Sequence, residues 1–261
     1  MNIILAMNIT QRHQKILAVI KHEKYITVSE ISKLLGVSEV TIRKDFNYLE
    51  EKNLIYRHHG GASLNNPYVV DLPVSQKQNI KIEEKKRIAE KAVEFIEDND
   101  VVILGSGTTI YNMVNYISKE KNITVITSSL LIAARLCEFH NVTIIQLGGS
   151  VRYSSQSTVG PNAQEMMLQF SANKLFLGVD GIDEDFGVST SNIEEAYLNQ
   201  IMIKNTTKTF LLSDDSKFGK KGLGRICSLK DVDCLITNQK VEESFESVLK
   251  KFGVNIIVTD Y

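Results

Sequence analysis

The sequence predicts an α/β protein in two parts, and three observations carry that prediction. From residue 81 onward, seven β-rich apolar runs alternate with helical stretches, the pattern of a mainly parallel sheet between helices. Before residue 65, apolar residues recur at helical spacing in three short stretches, and a glycine turn between strand-like runs follows them. Between the two, residues 66–80 hold two of the chain's three prolines and have no period, which reads as a linker. The predicted parts are therefore a head (1–65), a linker (66–80) and a body (81–261).

In the head, TQRHQKILAVIKHE begins with Thr10 as a helix cap and sets Ile16, Leu17 and Ile20 on one face. TVSEISKLLG follows, with Thr27 as cap, Ile31, Leu34 and Leu35 inward, and Gly36 as the stop. The third stretch, VSEVTIRKDFNYLEEKN, is capped by Ser38, buries Ile42, Phe46 and Leu49, and ends at Asn53, a residue suited to left-handed backbone. LIYR and ASL then flank HHGG as a hairpin.

Two helices joined by a short glycine-containing turn have the spacing of a helix-turn-helix, whose second helix enters the DNA major groove N-terminus first. That end presents Ser38, Glu39, Thr41, Arg43 and Lys44. Arginine and threonine address base edges or phosphates, and the helix N-terminus favours a phosphate. The hairpin, with Arg57, His58, His59, Gly60 and Gly61, fits a wing along the DNA backbone, the glycines permitting a tight turn. A protein-contact module with a solvated charged face is the plainer reading, and the wing directly after the third helix weighs against it. His58 and His59 have no third ligand at a suitable spacing, so no metal is expected. Residues 1–65 carry nine Lys or Arg against six Asp or Glu, while the remainder carries 21 against 25. A basic head on an acidic body suits a protein that meets a polyanion through its head alone.

The body's strands are expected at VVIL, ITVIT, VTIIQL, KLFLGV, KTFLLS, DCLIT and VNIIVT. Parallel sheets bind ligands beyond the C-terminal ends of their strands. VVIL runs into Gly105, Ser106, Gly107, Thr108 and Thr109, where the glycines let amides converge, the hydroxyls add donors and a helix begins. Loops of this composition hold phosphate. A tight strand-to-helix turn with no ligand has the same residues, and polar clusters after the other strands strengthen the binding reading. Thr127, Ser128 and Ser129 follow one strand, Gly148, Gly149 and Arg152 the next, and Asp214, Ser216 and Lys217 a later one. Asp180, Asn192 and Glu195 join the candidate ligand residues. Lys217 is the first choice for a charge partner to a phosphate and Arg152 the second, the plainer reading of each being a surface cation.

No apolar run approaches the ~20 residues that cross a bilayer. The opening MNIILAM lacks the basic flank and cleavage site of a signal peptide, and Met7 offers an alternative start. A cytoplasmic location is expected. Cys137, Cys227 and Cys234 have no metal-like spacing and are expected to be buried free thiols.

Residues 37–62, VSEVTIRKDFNYLEEKNLIYRHHGGA, resemble the N-terminal signature of the DeoR family of bacterial transcription regulators, departing at Phe46, where the family usually has Leu. From about residue 80 the chain resembles the family's C-terminal sensor, itself similar to ribose-phosphate isomerases and glucosamine-phosphate deaminases. The resemblance implies a winged helix-turn-helix and a ribose-phosphate-isomerase-like body. It also implies DNA contact by Ser38, Thr41, Arg43, Lys44 and the wing from Arg57 to Gly61, binding of a phosphorylated sugar, and a homodimer or homotetramer. Two positions depart from the pattern: Gly105, where many members have Asp, and Ser128, where many have Asn. Loss of an acid and an amide from the rim is expected to change the sugar preference.

Isomerisation or deamination of a sugar phosphate requires a carboxylate base near C1–C2 and an acid at the ring oxygen. The deaminases place a His just after an Asp-Gly, where this chain has Ile182, and His140 is the only histidine of the body. Asp180, Asp183 and Glu195 remain as candidate bases, or more plainly as hydrogen-bonding residues. The expectation is a ligand-controlled, DNA-binding repressor of a sugar operon, with no cofactor and no catalysis. A sugar-phosphate isomerase or deaminase with an accessory head, and an architectural DNA-binding protein with a vestigial pocket, are the alternatives. The linker and the helix IEEKKRIAEKAVEFI are the expected route from body to head.

Overall fold

Asn8, not Thr10, opens helix α1 (Ile9–Glu23), its Oδ1 accepting a hydrogen bond from the Gln11 amide at 2.8 Å. The computed structural model describes residues 8–23, 25–52, 54–58, 60–63 and 71–259, and the chain divides into two units, Met1–Pro67 and Tyr68–Tyr261. After α1 come strand β1 (Tyr25–Thr27) and helix α2 (Val28–Leu35), where Thr27 and Glu30 cap each other's backbone amides and Gly36 turns left-handed at φ 65°. Ser38 Oγ accepts from the Thr41 amide at 3.2 Å to begin α3 (Glu39–Glu51). Strands β2 (Tyr56–His58) and β3 (Gly61–Ser63) form the expected hairpin, and β1 adds an unexpected third strand on the other side of β3. Asn53, the expected stop of α3, lies outside the described residues.

Ile16, Ile20, Ile31, Ile42, Phe46 and Leu49 meet in one core, as their spacing predicts. Leu34 does not join it and is 62% exposed, because the inward stripe of α2 runs through Val28, Ile31 and the half-buried Leu35. Polar material also lies inside. The Asp45 carboxylate accepts from Arg12 at 2.5 and 2.8 Å and lies 3.0 Å from His13 Nε2, tying α3 to α1. Burial works against the charge on Asp45, and Arg12 and His13 overcome it, so its pKa falls below the ordinary value.

The second unit begins with α4 (Val74–Lys77), α5 (Ile82–Val93), β4 (Val101–Leu104), α6 (Thr108–Met113), β5 (Ile123–Thr127), α7 (Leu130–Leu136) and β6 (Val142–Gln146). The hairpin of β7 (Ser150–Arg152) and β8 (Ser157–Val159) leads to α8 (Pro161–Met167) and β9 (Ala172–Gly178). Next come β10 (Gly181–Asp183), β11 (Gly187–Thr190), α9 (Ile193–Lys204), β12 (Thr206–Leu212) and β13 (Gly224–Cys227). The described chain closes with β14 (Cys234–Thr237), α10 (Glu243–Lys251) and β15 (Asn255–Val258).

All seven runs read as strands pair in one parallel sheet, in the order β15-β14-β12-β9-β4-β5-β6. Alternate residues feed opposite cores. Val102, Leu104, Phe176, Phe210 and Leu212 pack on the side of α5 and α6, whereas Ile103, Leu175, Leu177 and Leu211 pack on the side of α8 and α9. Burial on both faces explains why these strands read as continuous apolar runs. A smaller antiparallel sheet, β10-β11-β13, lies beyond the strand ends.

Two expectations are corrected in this unit. Residues 71–80, assigned to the linker, belong to the body: Pro73, at φ −55°, begins α4, and Val74 is buried. Residues 64–70 lie outside the described residues. Cys137 is exposed, not buried, whereas Cys234 is buried and Cys227 is partly so, with burial pushing the Cys227 thiol up to about 12. Among the described residues, no helix is long and apolar enough to cross a membrane.

Removing one partner of a buried charge cluster leaves the others unpaired, at a cost of about 3 kcal/mol. Asp45→Ala is therefore expected to destabilise the head and speed amide hydrogen exchange in α1 and α3 while leaving the sheet's exchange unchanged; unaltered exchange in α1 would refute the role given to Asp45.

Candidate functional site

From β4 the chain steps through β5 to β6, then returns to the other side of β4 as β9 and steps away through β12, β14 and β15. Strands β4 and β9 are thus neighbours whose onward connections diverge, and a crevice must open beyond their C-terminal ends. An open cleft lies there. Ser106, Gly107, Thr108 and Thr109 line it after β4, and Gly178, Val179 and Asp180 after β9. Lys217 joins from the segment after β12, Thr190 from β11, Glu195 and Asn199 from α9, and Arg152, Ser154 and Ser155 from the β7–β8 hairpin. The remaining wall is Leu72, Val74, Lys77 and Lys85, from α5 and the segment before it.

The acids of the cleft are all engaged. Asp180 Oδ1 accepts from Lys77 Nζ at 2.7 Å, and Oδ2 accepts from Thr190 Oγ1 and the Ser191 amide, both at 3.1 Å. Burial opposes the charge on Asp180, but Lys77, with Lys217 further off and the Ser191 amide, holds its pKa down at about 2. Glu195 accepts from Arg152 Nη1 at 3.1 Å and from the Thr190 hydroxyl at 3.2 Å, so one threonine proton is shared between two carboxylates. Asp215 pairs with Lys81, and Asp214 accepts from the Ser216 amide at 3.0 Å.

Two cations are less engaged. Lys217 has no ion-pair or side-chain hydrogen-bond partner among the described residues. Lys85 is 4% exposed and, among the described residues, donates only to the Lys77 carbonyl, at 2.6 Å. Its burial, reinforced by Lys217 and Lys77 and opposed by Asp214, lowers its pKa to about 8. This end of the cleft therefore offers two ammonium groups beside a loop whose helix-opening amides point away from any intrahelical partner. Its chemistry suits an anion.

Of the residues named from sequence, Ser106, Gly107, Thr108, Thr109, Arg152, Asp180, Glu195 and Lys217 come together in the cleft. The others do not line it. Gly105 continues the β4–β9 ladder, its amide donating to the Phe176 carbonyl at 2.9 Å, and a Cβ there would meet Leu177 Cδ1 at 3.0 Å. A side chain at 105 would thus begin against Leu177 of β9. Thr127 Oγ1 donates to the Leu104 carbonyl at 2.7 Å, the Ser128 carbonyl accepts from Thr158, and Ser129 caps α7. Gly149, at φ 136°, passes so close to β8 that a Cβ would stand 2.6 Å from the Val159 carbonyl. Asn192 caps α9 and so sets Glu195 in place. Gly181, directly after Asp180, has the Lys220 carbonyl 2.3 Å from where a Cβ would be. Asp183 lies outside the lining, accepting from the Asp185 and Phe186 amides at 3.0 and 2.8 Å, while Ile182 is buried and His140 exposed.

On the head, Ser38, Arg43 and Lys44 are exposed along α3, and Thr41 is half-buried with its hydroxyl 2.9 Å from Ser38 Oγ. Arg43 pairs with Glu39 at 2.7 Å, an exposed contact of little energy that a phosphate or base can replace. Arg57 folds back onto α3, donating to Asn47 Oδ1. Gly60 is exposed at φ 78° and Gly61 is buried, consistent with a tight turn, while His59 and the side chain of His58 lie outside the described residues. Asn47, exposed beside Lys44, was not singled out from sequence.

The family model described as the DeoR C terminal sensor domain matches residues 80–239, and that of the DeoR-like helix-turn-helix domain matches residues 12–68. The chain belongs to the DeoR family. Its similarity to the glycerol-3-phosphate regulon repressor of Escherichia coli K12 is 32% identity over 96% of this chain and 99% of that one. A lactose phosphotransferase system repressor of Staphylococcus epidermidis is 32% identical over 81% of this chain and 84% of its own. Among solved structures, ribose 5-phosphate isomerase A of Methanocaldococcus jannaschii aligns over 51% of this chain and 53% of that one, with a TM-score of 0.39 and 17% identity.

For this DeoR-family chain, Lys77, Lys85 and Asn199 are cleft residues that sequence reasoning missed. Lys85 carried a readable signal: it lies three, four and seven residues before Ile88, Ala89 and Ala92, on the apolar stripe of α5. The Asp180 pair yields a test with a defined sign. A carboxylate whose folded pKa is depressed contributes stability that is present above its ordinary value of 3.8 and lost only as pH falls toward about 2. Asp180→Asn is expected to cost on the order of 2 kcal/mol, a melting shift of about 4–8 °C, and to cost as much at pH 5 as at pH 7. A difference that shrinks by pH 5 would show that Asp180 is not held ionised.

Proposed function

We propose that this DeoR-family regulator represses a sugar-metabolism operon and that a phosphorylated sugar or related phosphorylated metabolite, bound in the C-terminal cleft, changes its operator affinity. The observation that carries this reading is the cation-rich end of the cleft. Among the described residues Lys217 and Lys85 make no ion pair, and they lie with Ser106, Gly107, Thr108 and Thr109 in the cleft wall; Asp180, Glu195 and Asp215 are bound to other cations, and Asp214, which bears on Lys85, is hydrogen-bonded to Ser216. A phosphate dianion satisfies both lysines and the loop donors together. Glu195, Asn199 and Thr190, lining the rest of the cleft, suit the hydroxyls of a sugar.

Binding without turnover follows from the same contacts. A base for proton transfer at C1–C2 needs a free carboxylate with a pKa nearer neutrality. Asp180 at about 2, locked to Lys77, is a poor base, and Glu195 is held by Arg152. The effector-binding set is taken as Ser106, Gly107, Thr108, Thr109, Lys85, Arg152, Asp180, Glu195 and Lys217. Operator contact is assigned to Ser38, Thr41, Arg43 and Lys44 of α3, with the Arg57–Gly61 wing along the backbone. One small head makes few base contacts, so a homodimer or homotetramer with heads on paired half-sites is the working assembly. Its place of action is the bacterial cytoplasm, at the nucleoid when bound to DNA.

Arg43→Ala is expected to weaken operator binding by about 1–3 kcal/mol if it reads a base, measured by fluorescence anisotropy at fixed salt; unchanged affinity removes α3 as the reading helix. Lys217→Ala should abolish the thermal stabilisation given by phosphorylated sugars and the accompanying change in operator affinity, while the ligand-free protein still binds DNA. Turnover of ribose 5-phosphate or glucosamine 6-phosphate by the purified protein would overturn the sensing assignment.

A further inference from the structure

Residues 71–77 form one wall of the cleft, and they are fastened to it at both ends by ion pairs of opposite sense. At one end the Asp71 carboxylate accepts from Arg152 Nη2 at 2.5 Å, from Ser154 Oγ at 3.2 Å and from Ser191 Oγ at 3.0 Å. At the other, Lys77 Nζ reaches Asp180 Oδ1 at 2.7 Å, and its carbonyl accepts from Lys85 at 2.6 Å. Between them the Val74 amide donates to the Ser154 carbonyl at 2.6 Å, and its side chain is 5% exposed. Of the strap's partners, Arg152, Ser154, Asp180 and Lys85 line the cleft and Ser191 lies just beyond its lining residue Thr190.

Resting on the phosphate-sensing reading above, we propose that the strap from Asp71 to Lys77 is part of the effector site, with Lys77 a third lysine for the bound phosphate, and that ligand binding and strap docking reinforce each other. An anion at Lys85 and Lys217 attracts the Lys77 ammonium and so holds the strap down. A docked strap in turn supplies that ammonium and the apolar cover of Leu72 and Val74. Linkage requires the two effects to be equal: whatever loosens the strap weakens the ligand by the same factor. Residues 64–70 are the only chain between Ser63, the last described residue of the wing, and Asp71, the first described residue of the strap. The strap is therefore the part of the effector site that is covalently next to the DNA-binding head.

The test turns on a sign. Asp71 is an acid near an anion site and contacts Arg152, so by charge alone Asp71→Ala should tighten anion binding, having removed a negative charge and freed a guanidinium. The strap proposal requires the opposite. Inorganic phosphate and glucosamine 6-phosphate are titrated into full-length wild type, Asp71→Ala and Lys77→Met, with binding read by thermal shift and docking by hydrogen exchange of residues 71–80. Wild type is expected to bind and to slow exchange in the strap on binding. Asp71→Ala is expected to exchange faster in the strap without ligand and to bind about fivefold or more weakly. Tighter or equal binding by Asp71→Ala, or strap exchange indifferent to a ligand that wild type does bind, overturns the strap proposal and leaves the sensing reading standing. Failure of wild type to bind either probe overturns the sensing reading, and the strap proposal with it. Asp71 is 41% exposed at its side chain, so its replacement is compatible with folding, and exchange in β4 and β9 checks that the sheet is intact.

Discussion

Between β4 and β9 the winding of the sheet reverses, and the cleft exists because of that reversal. Strands wound in one sense send their connections the same way and pack the space above the sheet. Where the sense changes, the loops part and leave backbone donors facing solvent. The seven apolar strands therefore do more than make a core. By fixing which two strands lie at the reversal, they decide that Ser106–Thr109 and Gly178–Asp180 face one another, and α9 and the β7–β8 hairpin then close the space from the sides.

The charges around the cleft are arranged as a connected row. From Lys217 and Lys85 it passes through Lys77 to Asp180, across the Thr190 hydroxyl to Glu195, and on through Arg152 to Asp71. Each acid in that row has a cation, and the surplus of positive charge accumulates at one end. Burial first, and then the neighbouring Lys217 and Lys77 against the opposing Asp214, lowers the pKa of Lys85, so an anion joining this end would relieve a real cost. The same low-dielectric setting makes each pair sensitive to its immediate neighbours.

Much of this was legible in the sequence, and the limits have physical reasons. Strands buried on both faces read as apolar runs, so all seven were found, and the Ile42–Phe46–Leu49 stripe set the orientation of α3 correctly. Polar strand ends were also visible, but polarity does not say which end lies at the reversal. Thr127, Ser128 and Ser129 looked like Ser106, Thr108 and Thr109, yet they serve as ladder bonds and a helix cap. Asp45 and Lys85 were missed because a charge on an amphipathic helix is assigned to solvent unless its partner, distant in sequence, is known. Residues 71–80 read as a linker because ion pairs and one buried valine leave no period.

Gly181 has a consequence for how this cleft can diversify. With the Lys220 carbonyl 2.3 Å from the position of a Cβ, the backbone beside Asp180 admits no side chain without moving a neighbouring chain segment. The floor of the cleft is accordingly a fixed template among descendants of this chain, and drift toward a different ligand has to proceed through side chains that stand on independent supports. Asn199 on α9 and Ser155 on the hairpin are such positions, each carried by an element that can change its side chain without disturbing the strand ends.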